Sequence, residues 1–163
     1  MNILNRIAQE TIGSNYFSSC SQVLASSNPY ARSNKVGHIT ASGVVIKDGH
    51  VLLIHHSYIK QWFQPGGHID EGEVPIESAI REVFEETGVV CEPANFNHDP
   101  IDIDVHAIPA NPNKGEDMHL HIDLLFLLRV LQEQQASEDI QKAWIPFDQI
   151  KNARLLRALK HFT

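Results

Sequence analysis

Residues 67–89 read GHIDEGEVPIESAIREVFEETGV, a glycine-led turn running into a helix that carries Arg81, Glu82, Glu85 and Glu86. At 100° per residue, Ile76, Ala79, Ile80, Val83 and Phe84 form one apolar stripe. Glu82, Glu85 and Glu86 fall together beside that stripe, because spacings of three and four share a helix face. Such neighbours sit about 5–6 Å apart, where two carboxylates repel by about 3 kcal/mol at an effective dielectric near 20. Arg81 is the one cation near enough on the helix to answer them. A divalent cation from solution is the natural complement. Mg²⁺ suits the position, since it accepts one or two carboxylates, keeps several waters and takes its remaining ligands from substrate phosphates.

The segment resembles the Nudix hydrolase signature, G-x5-E-x7-R-E-U-x-E-E-x-G-U with U a bulky apolar residue. Every fixed position is filled, by Gly67, Glu73, Arg81, Glu82, Val83, Glu85, Glu86, Gly88 and Val89. Trp62 and Pro65-Gly66 also resemble the family's usual lead-in. The resemblance implies an α/β fold, the Nudix-type α/β/α sandwich with a mixed sheet. It further implies an enzyme that uses Mg²⁺ or Mn²⁺ and an attacking water to cut a diphosphate linked to another group. By the same resemblance Glu82 and Glu86 are metal ligands, Glu85 is a third ligand or a base orienting water, and Gly66 offers a backbone carbonyl ligand. The resemblance also implies that Arg81 and Glu73 brace the loop and helix, while Gly67 and Gly88 permit turns and close approach. Some relatives draw the general base from a loop outside the box, which makes Glu116 a candidate.

Composition sets the frame. A chain of 163 residues fits one domain with a sizeable core. A formal charge of −7 argues against broad nucleic-acid or membrane-surface binding, and an anionic substrate then needs a locally positive site such as bound metal. Two cysteines, Cys20 and Cys91, provide no disulfide framework and fit a reducing cytoplasm. The first residues lack a charged-then-apolar secretory layout, and no apolar run approaches membrane-spanning length.

Working outward from the box, residues 1–36 read as an N-terminal extension of two short helices and a polar connector, with 37–163 as the catalytic domain. A packed flap and a homodimer contact are both open readings for the helices. Ile39–Ile46 and Val51–His55 are β-prone runs joined by a Lys47-Asp48-Gly49-His50 hairpin turn. Pro65-Gly66-Gly67 reads as a tight turn, the box helix spans about 75–87, and Gly88 stops it. Two more strands follow at Ile101–Ile108 and His119–Leu128, then a short run at Ala143-Trp144-Ile145 and a helix carrying Ile150, Leu155, Leu156 and Leu159.

A second constellation lies outside the box. Alternation puts Asp102, Asp104 and His106 on one strand face, and His119, His121 and Asp123 on one face of the next. Paired as a hairpin, these strands would make one His/Asp patch. It reads either as a half-solvated face or as a substrate-facing wall or additional metal site, since His and Asp suit transition metals. Tyr58, Trp62, Phe63 and Trp144 are the aromatics able to stack on a base, with Trp62 the nearest to the box, and each reads equally as core. Lys60, Lys114 and Arg129 are the available phosphate-binding cations.

The substrate is less defined. Relatives acting on ADP-ribose often carry a proline about fifteen residues past the box, and diadenosine-polyphosphate relatives a tyrosine; here that stretch is Ile103-Asp104-Val105. HITASGVV, QPGGHIDEGE and HLHIDL together resemble a group of poorly characterised bacterial Nudix proteins. The expected function is hydrolysis of a nucleoside diphosphate linked to another moiety, in the class of ADP-ribose, nucleotide sugars and noncanonical nucleotides. The alternatives are a non-catalytic nucleotide sensor and an isomerase of an isoprenoid diphosphate. The isomerase reading needs a catalytic cysteine, and Cys91, just past the helix, is poorly placed to serve.

Overall fold

A computed structural model describes residues 2–57 and 59–160; Tyr58 and the Lys114 side chain lie outside the described residues. In chain order the elements are α1 (Ile3–Glu10), α2 (Phe17–Leu24), β1 (Gly37–Lys47), β2 (His50–His56), β3 (Gln61–Phe63), β4 (Gly66–His68), α3 (Pro75–Thr87), β5 (Val89–Pro93), β6 (Asp102–Ile108), β7 (His119–Glu133), β8 (Lys142–Pro146) and α4 (Ala153–Leu159). No helix among the described residues is long and apolar enough to cross a membrane.

The sheet is mixed and organised on β7. β1 runs parallel along one edge of β7, from Gly37 opposite Leu120 to Val45 opposite Leu128. β6 and β5 lie antiparallel to it. β1 in turn pairs with β4 over Thr40–Ser42 and with β2 at Ile46 and Lys47. Asp48 and Gly49, both at positive φ (49° and 73°), close the β1–β2 hairpin in the mirror-image turn that matches strand twist.

Alternation along β1 sorts the core into two layers. Ile39, Ala41 and Val45 join Ile76, Ala79 and Val83 of α3 on one side of the sheet. Val44, with Leu125 of β7, joins Leu155, Ala158 and Leu159 of α4 on the other. The result is the expected α/β/α sandwich. α1 and α2 bury Ile7, Cys20 and Val23 in the α3-side cluster, and Arg6 donates to the carbonyl of Pro100 at 2.6 Å. Asn2 caps α1 by accepting the Leu4 N–H at 3.0 Å.

α3 sits so close to β1 that a Cβ at Gly43 would stand 2.6 Å from both Leu128 Cδ1 and Val83 Cγ2. Gly43→Ala is therefore expected to lower stability by about 1–3 kcal/mol through overpacking. A thermal melt checks this, and an unshifted midpoint would show that α3 can lift without cost.

Several expectations need correction. Pro65-Gly66-Gly67 is not simply a turn, because Gly66 and Gly67 open β4 and pair with Ser42 and Ala41. β3 and β5 had no counterpart in the sequence reading: runs of 3 and 5 residues carry too little periodicity to register. β7 continues past Leu128 to Glu133 because Val89 and Val90 pair with its polar end. Ile150 precedes α4, whose cap is Asn152.

Candidate active site

The box helix is set by its ends. Pro75 occupies the first turn, and Gly88 takes a left-handed φ of 72° that ends the helix and turns the chain into β5. Arg81 then ties the box together. Its guanidinium forks onto Glu73 at 2.8 and 3.0 Å, reaches Glu82 at 2.8 Å and Glu85 at 3.0 Å, and donates to the His68 carbonyl at 2.9 Å. Ser78 and the Asp70 N–H also donate to Glu73.

The Arg81 bond, followed by those donors, holds the Glu73 carboxyl down at about 2 against an ordinary 4.5. A depressed carboxylate stabilises fully above its unfolded value and loses that contribution as pH falls toward the folded one. Melting of the wild type should therefore fall between about pH 4.5 and 2, with Glu73→Gln showing a flatter acid limb. Superimposable acid limbs would remove Glu73 from the brace.

Glu82 and Glu86 face the opposite environment. Glu86 is 9% exposed and accepts the Gly66 N–H at 3.0 Å. Burial, then the charges of Glu82, Glu138 and Glu85, pushes its carboxyl up to about 8. Burial likewise raises Glu82, against the pull of Arg81. β4 passes so near that a Cβ at Gly67 would lie 2.5 Å from Glu82 Oε1. Gly67→Ala should displace the Glu82 carboxylate and reduce turnover without a large loss of stability. Steady-state rates and melting measured together check this, and full activity would show that the carboxylate tolerates the shift.

These groups open on a cleft of about 720 Å³ between α3 and the polar end of the α4-side sheet face. Asp104, His106, His121 and Asp123 line the same cleft, so the hairpin patch and the box converge. The patch forms by β6–β7 pairing, with Asp104 opposite Asp123 and His106 opposite His121. It is less solvated than a free strand face, because α4 covers part of it. Arg154 donates to Asp102 at 2.9 Å and to Asp123 at 2.6 Å, while Thr40 and Ser42 donate to Asp123 at 2.6 Å each. Arg157 adds bonds to Asp102 at 2.7 and 2.8 Å and to Asp104 at 3.2 Å. The His106 ring at 3.0 Å, followed by these cations, holds Asp104 at about 2.

Other candidates fall elsewhere. Glu116 pairs with Arg32 at 2.6 Å and lines a separate cavity of about 210 Å³ with His38 and His119. Trp62 stacks edge-on against His55 and lines a second cleft of about 680 Å³ that also takes Lys60. Phe63, one residue on, lines the Glu82–Glu86 cleft with Ile59. Arg129 pairs with Glu92, and Trp144 lies under the Lys47 ammonium at 5.8 Å. Glu138, Arg32, Arg154, His38 and His68 join these candidates only in the fold. All of them except His38 line the main cleft, and none carries a local pattern that marks it.

A family model described as NUDIX domain matches residues 37–163. The chain belongs to the Nudix family. It is 36% identical over 129 residues to a Lactococcus lactis protein named "Probable DHNTP pyrophosphohydrolase", covering 77% of this chain and 72% of that one. It is 36% identical over 61 residues to "Phosphatase NudJ" of Escherichia coli (strain K12), which is 36% of this chain and 40% of that protein. A solved Nudix-family hydrolase from Clostridium perfringens superposes with a TM-score of 0.57 at 25% identity, over 80% of this chain and 99% of that chain. The protein is accordingly a Nudix hydrolase.

The Nudix box here fits the divalent cation that the family uses. Its candidate donors are all hard oxygens, the carboxylates among them repel one another, and Gly67 clears space beside Glu82 that a Cβ would fill.

Proposed function

We propose that this Nudix hydrolase cleaves the diphosphate of a nucleoside diphosphate derivative or a related noncanonical triphosphate, with Mg²⁺ or Mn²⁺ held by Glu82, Glu86 and the Gly66 carbonyl. The observation that carries the reading is the convergence of Glu82 and Glu86 with Arg32, Arg154 and Phe63 on one cleft. When bound, the cation supplies charge neutralisation of the diphosphate and acidifies the attacking water.

The chain's own residues do the rest. Arg81 and Glu73 hold the box rigid, so that Glu82 and Glu86 meet the substrate at fixed distance. Arg32 offers positive charge to the outer phosphate, Arg154 is held by Asp102 and Asp123 and keeps the cleft wall in place, and Phe63 offers a face to a base or ring. Water attacks phosphorus, the bridging P–O bond breaks, and the water's proton passes to a carboxylate. Glu85 and Glu138 are the groups assigned to receive it. Glu138 lines the cleft on a loop whose backbone N–H donates to the Glu85 carbonyl at 2.9 Å. Residues 37–163 form the catalytic unit in this reading, with 1–36 as a helical extension.

The experiment is metal-dependent product release from a panel containing ADP-ribose, a nucleotide sugar, noncanonical triphosphates and DHNTP, the last because a relative is named for it. Release from one class in Mg²⁺ or Mn²⁺, abolished by chelator, supports the proposal. Tight binding without release in either metal would favour a sensor. The isomerase reading lacks its thiol: Cys91 lies on β5, pushed up to about 12 by burial and away from the cleft.

A further inference from the structure

Five imidazoles crowd the polar end of the α4-side sheet face. The ring centroids of His68, His119 and His121 lie 5.0, 5.3 and 4.7 Å from that of His38, and His106 stands 5.8 Å from His121. Register produces the cluster: parallel pairing sets His38 opposite His121, and alternation brings His119 to the same face. His38 is 1% exposed, yet neither of its ring nitrogens has a hydrogen-bond partner. Nε2 of His121 is buried without one as well. Buried polar atoms are rarely left this way, because each forfeits its bonds to water. One nitrogen of His38 and Nε2 of His121 can share a single partner, since each ring offers one ligand atom to an ion.

We propose that His38, His119 and His121 bind a zinc-type divalent ion at a site separate from the carboxylates of the Nudix box. The three rings offer nitrogens that all lie within 4.8 Å of one another. The neutral ring is the form that ligates metal, and the burial of His38 and of Nε2 of His121 suits it. Nδ1 of His119 lies 2.8 Å from the Asp117 carbonyl; donating there leaves Nε2 as the ligand, the arrangement usual behind metal-bound histidine.

Three neutral imidazoles with one position left over match zinc, whereas Mg²⁺ selects oxygen. Zn–N bonds of about 2.0–2.1 Å place tetrahedral nitrogens about 3.3 Å apart, so side-chain rotation closes the rings onto the ion. The site lies in the wall between two cavities. His38 and His119 line the smaller one, and His121 lines the cleft that holds Glu82 and Glu86. An ion there fastens β1 to β7 and sets positive charge beside the cleft.

The test is titration of the whole metal-free chain with Co²⁺ under saturating Mg²⁺, read by visible absorption and displaced by Zn²⁺. One equivalent of a low-coordinate Co²⁺ spectrum is expected, and it should persist in the Glu82→Gln, Glu86→Gln double variant. His119→Ala and His121→Ala should each weaken it by more than the roughly 10–100-fold typical of losing an outer-shell partner. His119 is half-buried rather than core, so its variant keeps the test readable if His121→Ala fails to fold. Binding that survives His119→Ala, yields to Mg²⁺ or disappears with the carboxylates would overturn the proposal. None of those results bears on hydrolysis at the box.

Discussion

Glu86→Gln is expected to lower kcat/KM by at least about a hundredfold, the scale on which removing one preorganised electrostatic group acts. The carboxyl is held in place for a cation: Glu86 is 9% exposed, is fixed by the Gly66 N–H at 3.0 Å, and is pushed up to about 8 mainly by burial, so that it carries its full charge once a cation displaces the proton. A buried carboxylate kept among other carboxylates is costly to the metal-free fold. Replacing it with an amide removes that cost together with the metal ligand. The variant should therefore melt in chelator at or above the wild-type midpoint. Mg²⁺ at a hundred times its Kd should stabilise the wild type by about 2.7 kcal/mol, or about 5–10 °C at this chain length, and leave the variant unmoved. Glu82→Gln should behave alike. Wild-type turnover in either variant would remove it from the ligand set.

The largest expected loss of stability belongs to Arg154→Met. Asp123 and Asp102 are 4% and 9% exposed, and Arg154 bonds to both, at 2.6 and 2.9 Å. Removing the guanidinium leaves two buried carboxylates, one of which retains Arg157. Breaking a buried pair from one side costs about 3–5 kcal/mol, or about 6–20 °C in Tm for a chain of this size. Adding Asp123→Asn should recover part of the loss, because the surviving carboxylate is what makes the single variant unstable. A fall in Tm of under about 2 °C, or purely additive effects, would mean that α4 is held by its apolar face alone.

Legibility in the sequence followed the range of the interaction. The α3 stripe and the Glu82–Glu86 pair repeat at helical spacing, so they were readable without any partner. The hairpin at Asp48-Gly49 was readable because two residues with positive φ make the turn by themselves. Alternation also marked Asp104 and His106, and His119 and His121, as sharing faces. It could not show that Arg154 reaches back 31 residues to Asp123 and 52 to Asp102. Trp62 and Phe63 show how narrow the margin is: adjacent on one strand, they serve opposite faces, and only Phe63 meets the cleft.

The sequence by itself therefore determined the family, the box helix with its carboxylates and a mixed sheet covered by helices, which rest on periodicity and fixed spacing, while the Arg81–Glu73 brace and the α/β/α sandwich were implied by the family resemblance. Only the tertiary structure decided that His38 lies opposite His121, that Glu138 joins the box carboxylates while Glu116 does not, and that Arg154 closes the far side. Those placements arise from β1–β7 register and from the packing of α4. Both are energies of contact between segments distant in the chain, and no local pattern records them.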